Sequence, residues 1–202
     1  AYKHGVYTQE VPTSIVPAVN TTAGLPVVFG TAPVHLATDR AATNKPVLCY
    51  SYAEAVQQLG FSKDWAKYTL CEVMYSHFAL YNRGPVVFVN VLDPKNHKKS
   101  VADKSVDIAD RVATLDAPVL LDTLKIQASA VGSELAAGKD YEAAYDDDGA
   151  LVITLLDDGT ASAASSLILA YDELDPTAVD QDDIIGGISV SDGSVKGLEC
   201  LN

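Results

Sequence analysis

Three short apolar runs and one amphipathic stretch organise the first hundred residues. LPVVFGTA (25–32), KPVLCY (45–50) and PVVFVNVL (85–92) are near-continuously apolar. Such runs read as strands buried on both faces, as in a parallel sheet. Between the second and third, SYAEAVQQLG reads as a helix: Ser51 and Glu54 have capping-box spacing, and Gly60 is placed to end it. Ser62 is expected to cap a longer helix, because Ala66, Leu70, Val73, Met74, His77, Leu80 and Tyr81 recur on one helical face. Asn82-Arg83-Gly84-Pro85 would terminate it. Strand, strand–helix, helix–strand is the start of an α/β layer with parallel strands.

The pattern changes at Asp93. DPKNHKKS reads as a polar connector, and VADKSVDIAD has no sustained helical period. Strand-like runs follow at 119–128, 140–145, 151–156 and 166–171. Turn signals separate them: Gly132 and Gly138, then Asp148-Gly149, then Asp158-Gly159. TLKIQA alternates, with Leu124 and Ile126 on one face and Lys125 and Gln127 on the other. Short strands at this spacing predict a small β-sandwich or barrel. The tail, GGISVSDGSVKGLECLN, leaves this region through Gly186-Gly187 and opens a helix near 197–199. A helix one turn long is unstable by itself, so the end reads as a truncation.

The opening residues, AYKHGVYTQEVPTSIVPAV, pose a separate question. Tyr2, Val6, Tyr7, Val11, Ile15, Val16 and Val19 are too apolar for a solvated tail, yet Gly5, Pro12 and Pro17 forbid a continuous helix. The stretch also lacks the uninterrupted apolar block of a signal peptide. An extended apolar arm with no local burial calls for a partner surface.

Composition sharpens the division. Of a net charge of −13, residues 1–100 carry +3 and residues 101–202 carry −16, while all four Phe and the single Trp lie in the first half. The acidic half would repel nucleic-acid phosphates, and a solubilising surface is its ordinary reading. No run approaches the ~18 consecutive apolar residues of a membrane span. Cys49, Cys71 and Cys200 read as free thiols of a reducing compartment, being odd in number and without paired spacing.

Catalytic and metal chemistry finds little support. The chain has no nucleophile elbow, phosphate loop or dinucleotide fingerprint. His4, His35, His77 and His97 are scattered without metal-ligand spacing, and His77 reads as a core or interface residue. Set against a calcium loop, Asp146-Asp147-Asp148-Gly149 places Ala144 and Leu155 at ligand positions, so a hairpin turn is expected instead. Asp180, Asp182 and Asp183 read as a solvated linker. No catalytic, cofactor or metal residue is assigned.

Several stretches together resemble contractile phage tail sheath proteins. HGVYTQEVP (4–12) is similar to that family's P-G-V-Y-x-x-E segment through Gly5, Val6, Tyr7 and Glu10, with His4 where proline is usual. TAGLPVVFGTAP (22–33) matches its strand ending in G-x-A through Gly30 and Ala32. SYAEAVQQLG resembles the S-x-x-E-x-x-x-x-F/L-G helix, NRGPVVFVNVL the G-x-x-x-x-V-x-R/N-V strand, and SDGSVKGLECLN the point of re-entry into the core after an inserted domain. The order and spacing of these motifs carry the resemblance. Family members are considerably longer, so the chain is expected to be an amino-terminal portion.

The resemblance implies a mixed α+β fold in three parts: an extended amino-terminal arm (1–22), a partial α/β core layer (23–94 with 187–202), and an inserted acidic β-sandwich or barrel domain (95–186). It implies a non-enzymatic structural subunit without cofactors, polymerising as stacked hexameric rings around an inner tube in the virion tail. Gly5, Val6, Tyr7, Glu10, Val11, Ile15 and Val16 would form the inter-subunit arm, which adds a strand to a neighbour. Partners would be neighbouring copies, the inner tail tube protein, and baseplate and tail terminator proteins, with assembly in the bacterial host cytoplasm and neither nucleic acid nor membrane bound. Two other readings stay open: an α/β enzyme whose catalytic residues lie beyond residue 202, and an acidic surface- or carbohydrate-binding module.

Overall fold

The structure, a computed structural model, describes residues 24–129, 132–188 and 193–201. The first portion is built on a three-stranded sheet of β1 (Val27–Gly30), β2 (Pro46–Cys49) and β3 (Val86–Asn90), in the order β1-β3-β2. α1 (Tyr52–Leu59) and α2 (Thr69–Met74) lie between β2 and β3 in sequence. β1 runs parallel to β3, but β2 runs antiparallel to it, so the sheet is mixed rather than all-parallel. The expectation of strands buried on both faces holds for β3 alone; β1 and β2 are edge strands with exposed positions.

Lateral neighbours in a sheet point to the same face. Val86, Phe88, Val28, Val47 and Cys49 therefore face one way, and they join Leu59, Leu70, Cys71, Met74 and Phe78 of the helical layer in one apolar core.

α1 starts as the sequence predicts. Ser51 Oγ accepts from the Glu54 N–H at 3.2 Å, while the Glu54 carboxylate accepts from the Tyr50 N–H at 2.9 Å, one residue earlier than a capping box requires. Gly60 closes the helix at φ 75°, where any Cβ would collide with the Pro33 carbonyl oxygen. The long helix from Ser62 does not form. Residues 62–68 make a local turn in which Ser62 Oγ accepts from the Asp64 N–H and the Lys67 and Tyr68 amides return to the Asp64 carbonyl. Thr31 then fixes the true start, its hydroxyl donating to the Lys67 carbonyl at 2.7 Å and accepting from the Thr69 N–H. A π-helical stretch, Tyr75–Leu80, follows α2. This wider winding rotates the apolar stripe, so Leu70, Met74 and Phe78 are buried while Leu80 and Tyr81 are exposed.

The acidic portion contains β4 (Lys98–Asp107), β5 (Val112–Leu115), β6 (Lys125–Gln127), β7 (Tyr141–Tyr145), β8 (Leu151–Leu155) and β9 (Ser166–Leu174). They form two antiparallel sheets, β4-β9-β6 and β5-β8-β7. Alternate residues of β9 (Leu167, Leu169, Tyr171) and of β8 (Leu151, Ile153, Leu155) enter one shared apolar core with Ile126. Neither sheet closes into a barrel. The expected hairpin is present: Tyr145 pairs Leu151, and Asp146 Oδ1 accepts from the amides of Asp148 and Ala150. TLKIQA keeps its alternation, but the run 119–128 narrows to β6, preceded by a 3-10 turn at Leu121–Thr123. β4 falls where the sequence shows a polar connector and no sustained helical period, and β5 in the stretch between it and the first strand-like run.

The chain continues through α3 (Gln181–Ile185) and the small hairpin of β10 (Gly187–Ile188) and β11 (Val195–Lys196). It ends in a 3-10 helix, Gly197–Leu201, rather than an α-helix. The stretch read as a linker is thus ordered by its acids: Asp180 and Asp183 form a reciprocal capping box around the start of α3.

Candidate assembly surface

The residues expected to link subunits (Gly5, Val6, Tyr7, Glu10, Val11, Ile15 and Val16) lie outside the described residues. Of the other motif residues, Gly30, Ala32 and Asn90 converge at the carboxyl ends of β1 and β3. Asn90 is buried, and its Oδ1 accepts from the amides of Ala32 and Leu92, both at 3.1 Å. Gly30 is required beside it, because a side chain there would run into Thr69 Oγ1. The G-x-A and N-V motifs therefore form one structural joint that sets α2 against the sheet. No reacting group is exposed there.

The second face of the β1-β3-β2 sheet is different in kind. Val27, Val87 and Leu48 lie in one row across it, with Phe29 and Val89 in the next. None of these five belongs to either apolar core among the described residues. Val27 and Leu48 remain 40% and 39% exposed. Val87 and Val89 of the central strand are buried between them, so the exposed apolar surface lies at the two margins of this face, beside strand edges that are unpaired among the described residues, and such margins suit docking in physical terms. A second exposed apolar group occupies the last elements of the chain: Ile184, Ile185, Ile188, Val195, Leu198 and Leu201.

Where the chain enters and leaves the acidic portion, polar groups make a compact clamp. His97 is buried, and its Nδ1 accepts from the Asp93 N–H at 2.9 Å, so the ring hydrogen resides on Nε2. Nε2 lies 3.2 Å from Asp183 Oδ2, and Lys196 Nζ lies 3.0 Å from Asp183 Oδ1. Burial alone would raise the Asp183 carboxyl. The Asp180 amide, the Lys196 ammonium and His97 outweigh it and hold the group below the usual carboxylate range. Three residues distant in sequence meet here, and no spacing rule would have found them.

Chemistry of other kinds has no footing among the described residues. No group of three or more His, Cys, Asp or Glu could hold a metal ion. All three cysteines are free; burial pushes the Cys49 and Cys71 thiols up to about 11, leaving them poor nucleophiles. His77 is half-buried and is not among the residues of either core. Among the described residues no helix is long and apolar enough to cross a membrane.

No protein-family model matches the chain, and neither does any solved structure. A curated relative does: the tail sheath protein of Burkholderia phage BcepMu is 31% identical over 203 residues, covering 99% of this chain and 39% of that relative. The chain spans about two fifths of the relative's length. By this match, which runs through nearly every residue of it, the chain is a homologue of a phage tail sheath protein.

Proposed function

We propose that the chain is part of the structural subunit of a contractile tail sheath, a protein of the virion tail with no catalytic role. The observation that carries this reading is the match to a tail sheath protein along 99% of the chain. In this reading subunits stack as hexameric rings around an inner tube. Neighbouring copies, the tube protein, and the baseplate and terminator proteins are the partners, and assembly takes place in the host cytoplasm.

Residues 1–22 would be the arm, with Gly5, Val6, Tyr7, Glu10, Val11, Ile15 and Val16 forming its contacts. An edge of the β1-β3-β2 sheet is a fitting receptor, since an added strand gains backbone hydrogen bonds along its whole length. About twenty extended residues span roughly 65 Å, enough to cross a subunit boundary. The exposed Val27 and Leu48 at the margins of the second sheet face would be covered by the remainder of a longer sheath polypeptide. Residues 95–186 would form an independent two-sheet domain inserted into this core.

Negative-stain microscopy of the full-length protein tests the assignment. Concentration-dependent tubes are expected, and deleting residues 1–18 should abolish them while leaving the thermal midpoint of the subunit nearly unchanged. A full-length protein that stays monomeric at all concentrations would overturn the reading. Residues 1–202 alone should bind a hydrophobic dye at the open sheet face, and residues 95–186 alone should not; a dye-silent monomer would refute the uncovered face.

A further inference from the structure

The two portions touch at a seam made of aromatic rings. His35, in the 3-10 turn Val34–Leu36, packs against Tyr68 of the first portion (ring centroids 6.0 Å apart) and edge-on against Tyr145 of β7 (5.3 Å). Tyr145 is itself fixed, its hydroxyl donating to the Val119 carbonyl at 2.6 Å. Beside it Leu36 lies against Gly149 of the hairpin, where an added methyl would sit 3.5 Å from Leu36 Cδ1. His35 Nδ1 is enclosed in this seam and has no hydrogen-bond partner.

An open cleft of about 500 Å³ runs alongside, lined from both portions. The charged groups around His35 are unevenly divided. Arg40, which follows the 3-10 turn, repels a charged ring. The cleft carries Asp64 and Lys67 from the turn before α2, Asp148 from the hairpin, Lys99 from β4, Glu173 from β9, and Asp116 and Asp175 from the adjoining loops. Five carboxylates thus face two ammonium groups. Asp64 and Asp175 stay ionised in mild acid, held low by hydrogen bonds from Lys67 and Thr177 respectively.

We propose that His35 is an acid-operated pin: neutral, it holds the two portions together through the aromatic seam, and protonated, it swings into the acidic cleft and releases the hairpin. A neutral imidazole tolerates one unpaired acceptor nitrogen. The imidazolium makes that nitrogen a charged donor with nothing to receive it. Burial, with Arg40 beside it, lowers the group from 6.5 to about 4. Between those values the closed seam disfavours the proton and the open one accepts it, so opening is promoted as pH falls, by up to about two orders of magnitude across the window. Neither apolar core has to unfold for this. The device is independent of what the chain assembles with.

Amide hydrogen exchange on the whole chain tests the proposal, comparing pH 7 with pH 4.5 after correction for intrinsic rates. Peptides covering residues 33–37 and 143–150 should exchange at least tenfold faster in acid, while those from β3 and β8 keep their protection. His35→Phe keeps the aromatic packing but cannot take a proton, and its seam should show no acid response. An unchanged wild-type seam, or equal loss in His35→Phe, would overturn the proposal. Should that variant fail to fold, NMR titration of the unaltered chain decides. A His35 midpoint near 4 that moves the Tyr145 ring signals supports it, and a midpoint near 6.5 refutes it.

Discussion

The two portions use three-stranded sheets in opposite ways. In the acidic portion two sheets turn their apolar faces to each other, so Leu167, Leu169 and Ile153 are covered by the portion itself. In the first portion the described helices pack on one face of a single sheet, and Val27 and Leu48 at the margins of the other face are exposed. Charge follows the same division, +3 against −16 between the two halves of the chain. A region complete in its packing needs a surface that resists association, and acidic residues supply it. A region with exposed apolar residues at the margins of a sheet face offers surface for association.

Large-to-small substitutions in each core test whether the portions melt separately. Phe88→Ala should cost about 3–5 kcal/mol and Ile153→Ala about 2–5 kcal/mol, both residues being almost wholly buried. In calorimetry each should lower one transition and leave the other in place. A single transition shifted by either variant would erase the distinction between the portions.

A smaller effect is expected at Gly60, confined to the first portion. Gly60→Ala imposes a left-handed backbone on a residue with a side chain and drives its Cβ toward the Pro33 carbonyl. A loss of about 1–3 kcal/mol should appear in urea unfolding followed by Trp65 fluorescence. A neutral result would mean that α1 ends with more freedom than its geometry shows.

Smallest is the clamp between the portions. Asp183→Asn removes the charge that meets Lys196 and His97, with an expected cost of about 0.5–1 kcal/mol near neutral pH. The sign in acid follows from the lowered carboxyl. Its contribution is complete above the ordinary carboxylate value and disappears as pH falls through the lower folded value. The stability difference between wild type and variant should therefore vanish in strong acid. A difference that is constant with pH would exclude the ionic origin.

Sequence patterning located what local chemistry determines. Ser51 and Gly60 bounded α1, and the Asp146–Gly149 turn placed the β7–β8 hairpin, because capping oxygens and positive φ values act within a few residues. β4 was illegible. KKSVADKSVD is exposed along most of its length, interrupted by Asp103 at φ 53° and a register shift, and it is a strand only because β9 pairs with it. The helix from Ser62 was overread for the converse reason: its apolar period is real, but Thr31, more than thirty residues away, fixes the start at Thr69. Continuous apolar runs implied a parallel sheet, yet strand direction depends on the connection, and β2 turned out antiparallel. The clamp of His97, Asp183 and Lys196 is non-local throughout, so no motif could announce it.

The pairing of Lys98 with Leu174 has a consequence for descent. The first residue of β4 stands opposite the last of β9, so the path out of the first portion and the path back are separated by one strand spacing, about 5 Å. Whatever lies between can lengthen, shrink or be exchanged during evolution without moving its two anchors, since closing a longer excursion costs little more than closing a short one. Divergence should therefore collect between residues 98 and 174 while the flanking joint, with Gly30, Ala32 and Asn90, changes slowly.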